Sequence, residues 1–272
     1  MIKTVVITGG SSGMGLDLAK AYAKLDYNVL LLARNKERLD NAVFECKTYC
    51  INNLQQVIGY SVDVTDKASL KACARDISEN FNALDLLILS AGVVSCERFI
   101  DQHDDDFELL MQTNVFGASA VARAFLPNMI TNGHGQICFI GSVAGLMQTY
   151  GYSAYNASKF ALIGVAGAMR QELTDHNIKV NVLCPPEVDT PMVVKESKTI
   201  LPQTRYLKDL LGTISVEQVT QSVIKGLAKN QFIIIPSAKA RFFYWQKRMF
   251  PNLFEKINQM LIRYVSKKHI EN

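Results

Sequence analysis

The chain has few residues that hold metals and none of the segments that fix a protein in a bilayer. Its four histidines, His103, His134, His176 and His269, stand far apart and show no His-x-x-x-His spacing. Its six cysteines, Cys46, Cys50, Cys73, Cys96, Cys138 and Cys184, are spread without a metal-type cluster, so they read as reduced thiols and no metal is expected. Cys46 and Cys50 can share a helix face, which at that spacing is packing or chance rather than a ligand set. No apolar run approaches the ~20 residues needed to span a bilayer, and no signal peptide precedes the first apolar segment. The expected location is the cytoplasm, or the cytoplasmic face of a membrane as a peripheral protein. Repeats and low-complexity tracts are absent as well.

What is present is an ordinary globular composition, 49% apolar and 20% charged over 272 residues, enough for one α/β domain with a core covered on both faces. Strands are expected at 3–7, 28–33, 56–62, 84–89, 136–140, 179–183 and 232–235. Helices are expected at 16–25, 37–50, 68–81, 107–130, 152–175 and 215–229, the last opened by the capping-box pattern Ser215-Val216-Glu217-Gln218. That alternation predicts a Rossmann-type, doubly wound parallel sheet with right-handed crossovers and helices on both faces. Residues 190–212 carry no clear pattern and read as an insertion.

The most informative pair is Tyr155 and Lys159, four residues apart. On a helix that spacing puts both on one face, ~5–6 Å apart at Cβ. A free tyrosine, with its pKa near ~10, is nearly useless as an acid or base at neutral pH. A neighbouring cation is expected to lower it, and a shift of ~3 units needs only ~4 kcal/mol of differential interaction. The turn Gly9-Gly10-Ser11-Ser12-Gly13-Met14-Gly15 joins the first strand to the first helix. Its glycines let backbone N–H groups and a helix N-terminus approach a pyrophosphate, although such turns also end strands for steric reasons alone. Ser90-Ala91-Gly92, Ser142 and Pro185 likewise follow strand ends, the edge where open α/β sheets bind ligands. Taken singly, Ser142 reads as a loop residue and Asn114 as a helix kink or cap.

Together these residues, in this order, resemble the short-chain dehydrogenase/reductases, over residues 3–236. The resemblance implies a nicotinamide enzyme in which Tyr155 exchanges a proton with the substrate oxygen. It further implies that Lys159 lowers the tyrosine pKa and binds the nicotinamide ribose, Ser142 hydrogen-bonds the carbonyl, and Asn114 holds a relay water. Cofactor contacts are expected from Gly9, Ser11, Ser12, Gly13, Met14, Gly15, Ser90, Ala91, Gly92, Tyr155, Lys159, Pro185, Val188 and Thr190. Asp63 and Val64 resemble the family's adenine-contacting segment. At the end of the second strand Arg34, with Arg38 behind it, stands where an acid would select NAD(H), so NADP(H) is preferred and NAD(H) remains usable; alternatively Arg34 is a solvated helix-entry residue. The chain departs from the family pattern with Ser90 in place of Asn and with Pro185-Pro186 in place of Pro-Gly. Within the family, Pro185-Pro186 followed by Asp189-Thr190-Pro191 and Leu201-Pro202-x-Thr204-Arg205 looks most like the 3-ketodihydrosphingosine reductases, which reduce a long-chain ketone. A steroid, sugar or acyl-thioester substrate, or a non-catalytic dinucleotide sensor or membrane scaffold, are the other readings.

The domain is expected to end at residue 236, leaving 237–272 as a C-terminal helical extension. Residues 231–272 hold eight basic residues against Glu255 and Glu271, so the tail carries +6 of a net +4 and the remainder −2. After Pro251 the apolar residues Leu253, Phe254, Ile257, Met260, Leu261, Tyr264 and Val265 follow a helical period. A basic amphipathic helix of this kind can lie on an anionic membrane, cover the active site or pack on another subunit. No recognition motif accompanies the charge, so nucleic acid is not an expected partner. Helix 152–175 is apolar nearly all round between Phe160 and Met169, which points to a homodimer or homotetramer or to coverage by the tail.

Overall fold

The computed structural model describes residues 2–81 and 83–270, so Glu271 and Asn272 of the expected extension lie outside the described residues. The strands are β1 (Lys3–Thr8), β2 (Tyr27–Ala33), β3 (Val57–Ser61), β4 (Leu86–Leu89), β5 (Gly135–Ile140), β6 (Ile178–Leu183), β7 (Glu187–Val188), β8 (Thr213–Ile214) and β9 (Ile233–Ile234). Between and after them run α1 (Gly13–Lys24), α2 (Lys36–Lys47), α3 (Lys67–Asn80), α4 (Asp104–Met111), α5 (Ala118–Asn132), α6 (Ser153–Glu172), α7 (Pro191–Glu196), α8 (Pro202–Leu211), α9 (Val216–Ala228), α10 (Ala238–Met249) and α11 (Pro251–Ile270). Seven strands form one parallel sheet in the order β3-β2-β1-β4-β5-β6-β9, and β7 pairs with β8 outside it.

Alternation along each buried strand builds two cores. Val6, Leu30 and Leu32 face the layer that contains α3, α5 and α6, whereas Val5, Ile7 and Leu31 face the layer of α1, α2 and α9. A sheet buried on both faces needs strands that are apolar at every position, which is why β1, β2 and β4 read as continuous runs rather than alternating ones. The strand order reverses between β1 and β4, so the loops after those two strands lie side by side. That crevice is where such sheets place ligands.

The long helix expected around 107–130 is found at 104–132, interrupted by a π-helical turn at Gln112–Gly117. Ser215 and Gln218 form the reciprocal capping box that opens α9. Two segments differ from expectation. Residues 190–212 are ordered as α7 and α8, each with proline in its first turn, and the aromatic stretch before Pro251 is the helix α10. Both helices of the tail fold back on the body. Ala240 and Val265 are buried, and Phe243, Tyr244 and Phe254 pack against the larger core. Lys247 Nζ donates to the Leu146 carbonyl at 3.0 Å and to Gln148 Oε1 at 2.5 Å. Among the described residues no helix is long and apolar enough to cross a membrane.

Candidate active site

The crevice begins at the turn after β1. Gly9 has φ +67 and a Cβ there would stand 2.9 Å from Ala91 N, while a Cβ on Gly15 would stand 2.4 Å from Gly9 O. No other residue fits either position without moving backbone. Ala91 N donates to Thr8 Oγ1 at 3.1 Å, tying the Ser90-Ala91-Gly92 loop to the end of β1. The N-cap of α1, Ser12, makes no side-chain cap bond, and the first turn of α1 holds no acid. Its N–H groups are therefore left for an anion. Gly9, Ser11, Ser12, Arg34, Arg38, Asp63, Val64, Ala91 and Gly92 line one cavity of about 220 Å³. Arg34 lies 3.6 Å from Asp63 and its side chain is 64% exposed, so this cation is free to swing onto a ligand. Burial would raise the Asp63 carboxyl, but hydrogen bonds from Thr65 and the nearby Arg34 outweigh it and hold it below its ordinary value.

Met14, Ser142, Tyr155, Pro185, Val188 and Thr190 line a second cavity of about 100 Å³. Gly13, with φ +52, faces Thr190 across it. Ser142 caps a short 3-10 turn through its contact with Ala144 N at 3.1 Å, and its hydroxyl is hydrogen-bonded to the Tyr155 phenol. A Cβ on Gly145 would stand 2.6 Å from Lys159 O, so this turn sits directly on α6. Lys159 is buried and its ammonium donates to Ile140 O at 2.8 Å. Asn114 lies in the π-helical turn with its amide bonded to Val93 N, Val93 O and Ser158 Oγ, at 2.8, 3.0 and 3.0 Å, which leaves one lone pair of Oδ1 open. A Cβ on Gly92 would come within 3.1 Å of Asn114 Oδ1 and 3.8 Å of Lys159 Nζ. That glycine is what lets the β4 loop, the helix and the lysine converge. All four candidate catalytic residues thus gather at one place, Lys159 and Asn114 behind the cavity and Ser142 and Tyr155 in its wall.

The polypeptide's own electrostatics correct one expectation. Burial pushes the Tyr155 phenol above its ordinary value; the Ser142 hydrogen bond pulls it down, and the Glu196 charge pushes it up again. Burial also pulls Lys159 down, to about 8. The reason is where the lysine points. Its Nζ is 5.6 Å from the Tyr155 ring centroid and bonded to a carbonyl, and in so dry a place desolvation of each group exceeds their attraction. In the polypeptide alone the phenol is thus a weaker acid than free tyrosine, and the lysine does not by itself tune it downward.

Sequence reasoning missed a cluster beside Tyr155. The Tyr152 ring meets Tyr155 edge-on at 5.2 Å, and its hydroxyl donates to Glu196 Oε1. Lys208 Nζ bridges Glu196 and Glu187 at 2.9 and 2.7 Å. No local pattern announces this, because the partners are 12 to 56 residues apart.

The residues present fit a nicotinamide dinucleotide. A glycine turn and uncapped helix face one end of the crevice, cations and Asp63 line the cavity there, and Ser142, Tyr155 and Lys159 stand at the other end. Comparison with known proteins agrees. Residues 3–201 match the family described as short chain dehydrogenase. A Bos taurus protein named 3-ketodihydrosphingosine reductase is 34% identical over 229 residues, 84% of this chain and 69% of the relative. An Acinetobacter baylyi protein named fatty acyl-CoA reductase is 33% identical over 231 residues, 84% of this chain and 74% of the relative. Among solved structures, a short-chain dehydrogenase from Sphingobium yanoikuyae in complex with NADPH superposes with a TM-score of 0.77 at 26% identity, covering 91% of this chain and 94% of that one.

Proposed function

The chain belongs to the short-chain dehydrogenase family, an NAD(P)-dependent oxidoreductase acting on CH–OH/C=O groups, and from that premise we propose that it reduces a long-chain ketone of the 3-keto sphingoid type with NADPH. The observation that carries the substrate class is the shape of the apolar wall. Val143, Thr149, Leu207 and Leu211 line the catalytic cavity and also a second one of about 40 Å³, closed by Phe243 of α10 and Phe254 of α11. An alkyl chain leaving the reacting carbon on that side meets a mainly apolar wall between α8 and the tail, in which Gln148, Thr149 and Asn258 are the polar members. The names of the mammalian relatives support the same class.

In the reaction, the bound cofactor supplies hydride to the carbonyl carbon. The remaining work falls to the chain. Ser142 donates a hydrogen bond to the carbonyl oxygen, and Tyr155 gives that oxygen its proton as negative charge develops. Lys159, titrating near neutrality, passes a proton back toward the phenolate, with Asn114 holding a water beside it. Gly9, Ser11, Ser12, Gly13 and Gly15 would hold the pyrophosphate, Arg34 and Arg38 the 2′-phosphate, Asp63 and Val64 the adenine, and Ser90, Ala91, Gly92, Pro185, Val188 and Thr190 the nicotinamide half.

Two partner assignments go with this reading. The outer face of α6, where Gly164 and Ala168 are exposed and a Cβ on Gly164 would touch nothing within 4 Å, is flat enough to seat another subunit. The tail is a peripheral contact with an anionic membrane. Purified protein is expected to oxidise NADPH with 3-ketosphinganine faster than with short ketones, a steroid ketone or a fatty acyl-CoA. Faster turnover of the acyl-CoA would move the assignment to thioester reduction, in line with the Acinetobacter relative.

A further inference from the structure

The catalytic cavity carries charge that the hydride chemistry does not use. Its charged lining residues are Glu187, Glu196 and Lys208, two acids to one base. Glu187 is fully satisfied: Arg205 meets it with two hydrogen bonds of 3.0 Å, Thr213 Oγ1 at 2.8 Å and Lys208 at 2.7 Å. Glu196, only 5% exposed at its side chain, has among the described residues no cation of its own and shares Lys208 at 2.9 Å; its other oxygen takes the Tyr152 hydroxyl. Arg205 is engaged by Glu187 and by the exposed Asp209 and does not reach Glu196, so within the cavity lining Glu196 is left with a share of Lys208 alone. An under-compensated buried charge is costly. Holding Tyr152 in place would need only a neutral acceptor. That charge is placed one ring from the reacting group, since Tyr152 stacks edge-on against Tyr155 at 5.2 Å.

We infer that Glu196 is a specificity-determining residue that receives the ammonium of a substrate bearing an amine on the carbon next to the carbonyl. With the carbonyl oxygen at Ser142 and Tyr155 and the alkyl chain directed toward Leu207 and Leu211, the substituent on the opposite carbon faces Tyr152 and Glu196. A protonated amine there completes the charge balance that Lys208 leaves unfinished, and an anionic substituent is repelled. The inference deepens the sphingoid reading, whose substrate is a 2-amino-3-ketone, and rests on it for the choice of chain.

The test uses NADPH oxidation by the full chain on three ketones: a long-chain 2-amino-3-ketone, the same ketone without the amine, and a short-chain 2-amino ketone. The wild type is expected to favour the amine over its amine-free counterpart by about tenfold or more in kcat/KM, chiefly through KM, the size expected for one charge-assisted hydrogen bond. Glu196→Gln is expected to bring that ratio to near one. Lys208→Met, which removes the resident cation, is expected to raise it, and serves if the first variant does not fold, with NADPH binding as the check on folding in both. A wild-type ratio near one overturns the inference. So does a ratio that Glu196→Gln leaves unchanged because both substrates suffer alike, or one that Lys208→Met fails to raise. Equal rates on long and short amino ketones with the amine preference intact would remove the long-chain reading and leave Glu196 in its role.

Discussion

Burial holds the Lys159 ammonium at about 8 against an ordinary 10.5, so in the folded protein this residue gives up its proton more readily than in the unfolded chain. The linkage is unfavourable at neutral pH. Between 8 and 10.5 the unfolded state binds the proton and the native state does not, so stability climbs with pH across that window and the penalty is fully present below it. Lys159→Met should therefore be more stable than wild type at pH 7, by ~3 kcal/mol at most, and inactive, with its advantage shrinking as pH rises from 8 toward 10.5. Thermal melts at pH 7 and pH 9.5 check this; a melting temperature at pH 7 no higher than wild type's would sink it. Because kcat/KM reports groups of the free enzyme, reduction should also decline as pH rises past about 8, where Lys159 loses the proton it passes on. Tyr155→Phe keeps the ring and its contact with Tyr152 but removes the donor. Turnover should fall by ~100-fold or more while NADPH binding stays near wild type, and substantial activity in this variant would remove Tyr155 from its role. Arg34→Ala should weaken NADPH by ~1.5–3 kcal/mol and leave NADH nearly unchanged, as titration with each cofactor would reveal. The positions of these residues were legible because each belongs to a short local pattern, Arg34 just after β2 and Tyr155 and Lys159 one turn apart on α6. Their charge states were not, since those depend on burial and on where Lys159 turns.

At the scale of elements, the segment 190–212 folds because of partners far away in sequence. Burial would raise the Glu187 carboxyl, but Arg205, Lys208 and Thr213 hydrogen-bond it and hold it at about 2. That one side chain joins β7, β8 and α8. Its contribution is complete above the ordinary 4.5 and lost as pH falls toward 2. Glu187→Gln should loosen α8, with faster amide exchange at 202–211 than in α9 and a stability loss of ~3 kcal/mol at pH 7 that narrows on acidification. Uniform exchange across both helices would count against this latch. The contrast with α9 explains what the sequence reveals about elements. The capping box of α9 has both halves within four residues and so is visible in a short window. The apolar face of α8, by contrast, packs against the tail, more than forty residues on. Pro191 and Pro202, each in the first turn of its helix, were the available signal. The π-helical turn at Asn114 is of the same kind. It brings the Asn114 amide to Val93 and Ser158, neither of which a helix pattern can foretell.

The whole molecule presents an apolar surface that its own core does not need. On α11, Phe254, Leu261 and Val265 turn inward, and at 100° per residue Leu253, Ile257, Met260 and Tyr264 fall on a separate stripe. Those four are 46–66% exposed. Lys256, Arg263 and Lys267 make the adjoining stripe on the side away from the core. From α10 and its end come Phe242, which stacks on Trp245 at 6.1 Å, and Phe250, which meets Trp245 edge-on at 6.3 Å, all three more than half exposed. An apolar stripe bordered by cations and capped by aromatics suits a headgroup layer, where each basic residue adds ~1 kcal/mol. It would also bring the apolar cavity between α8 and the tail close to a surface that holds long-chain ketones. Trp245 is the chain's single tryptophan, so the protein carries its own reporter. Anionic vesicles in low salt should shift its emission to the blue and sediment the protein, neutral vesicles should do so weakly, and rising salt should reverse the shift as the charges are screened. Trp245→Ala with Phe250→Ala should weaken pelleting while NADPH binding persists, because neither side chain reaches the cofactor crevice. A blue shift that instead grows with protein concentration in the absence of vesicles would mean that these aromatics meet a second copy of the chain, and the membrane assignment would then fall.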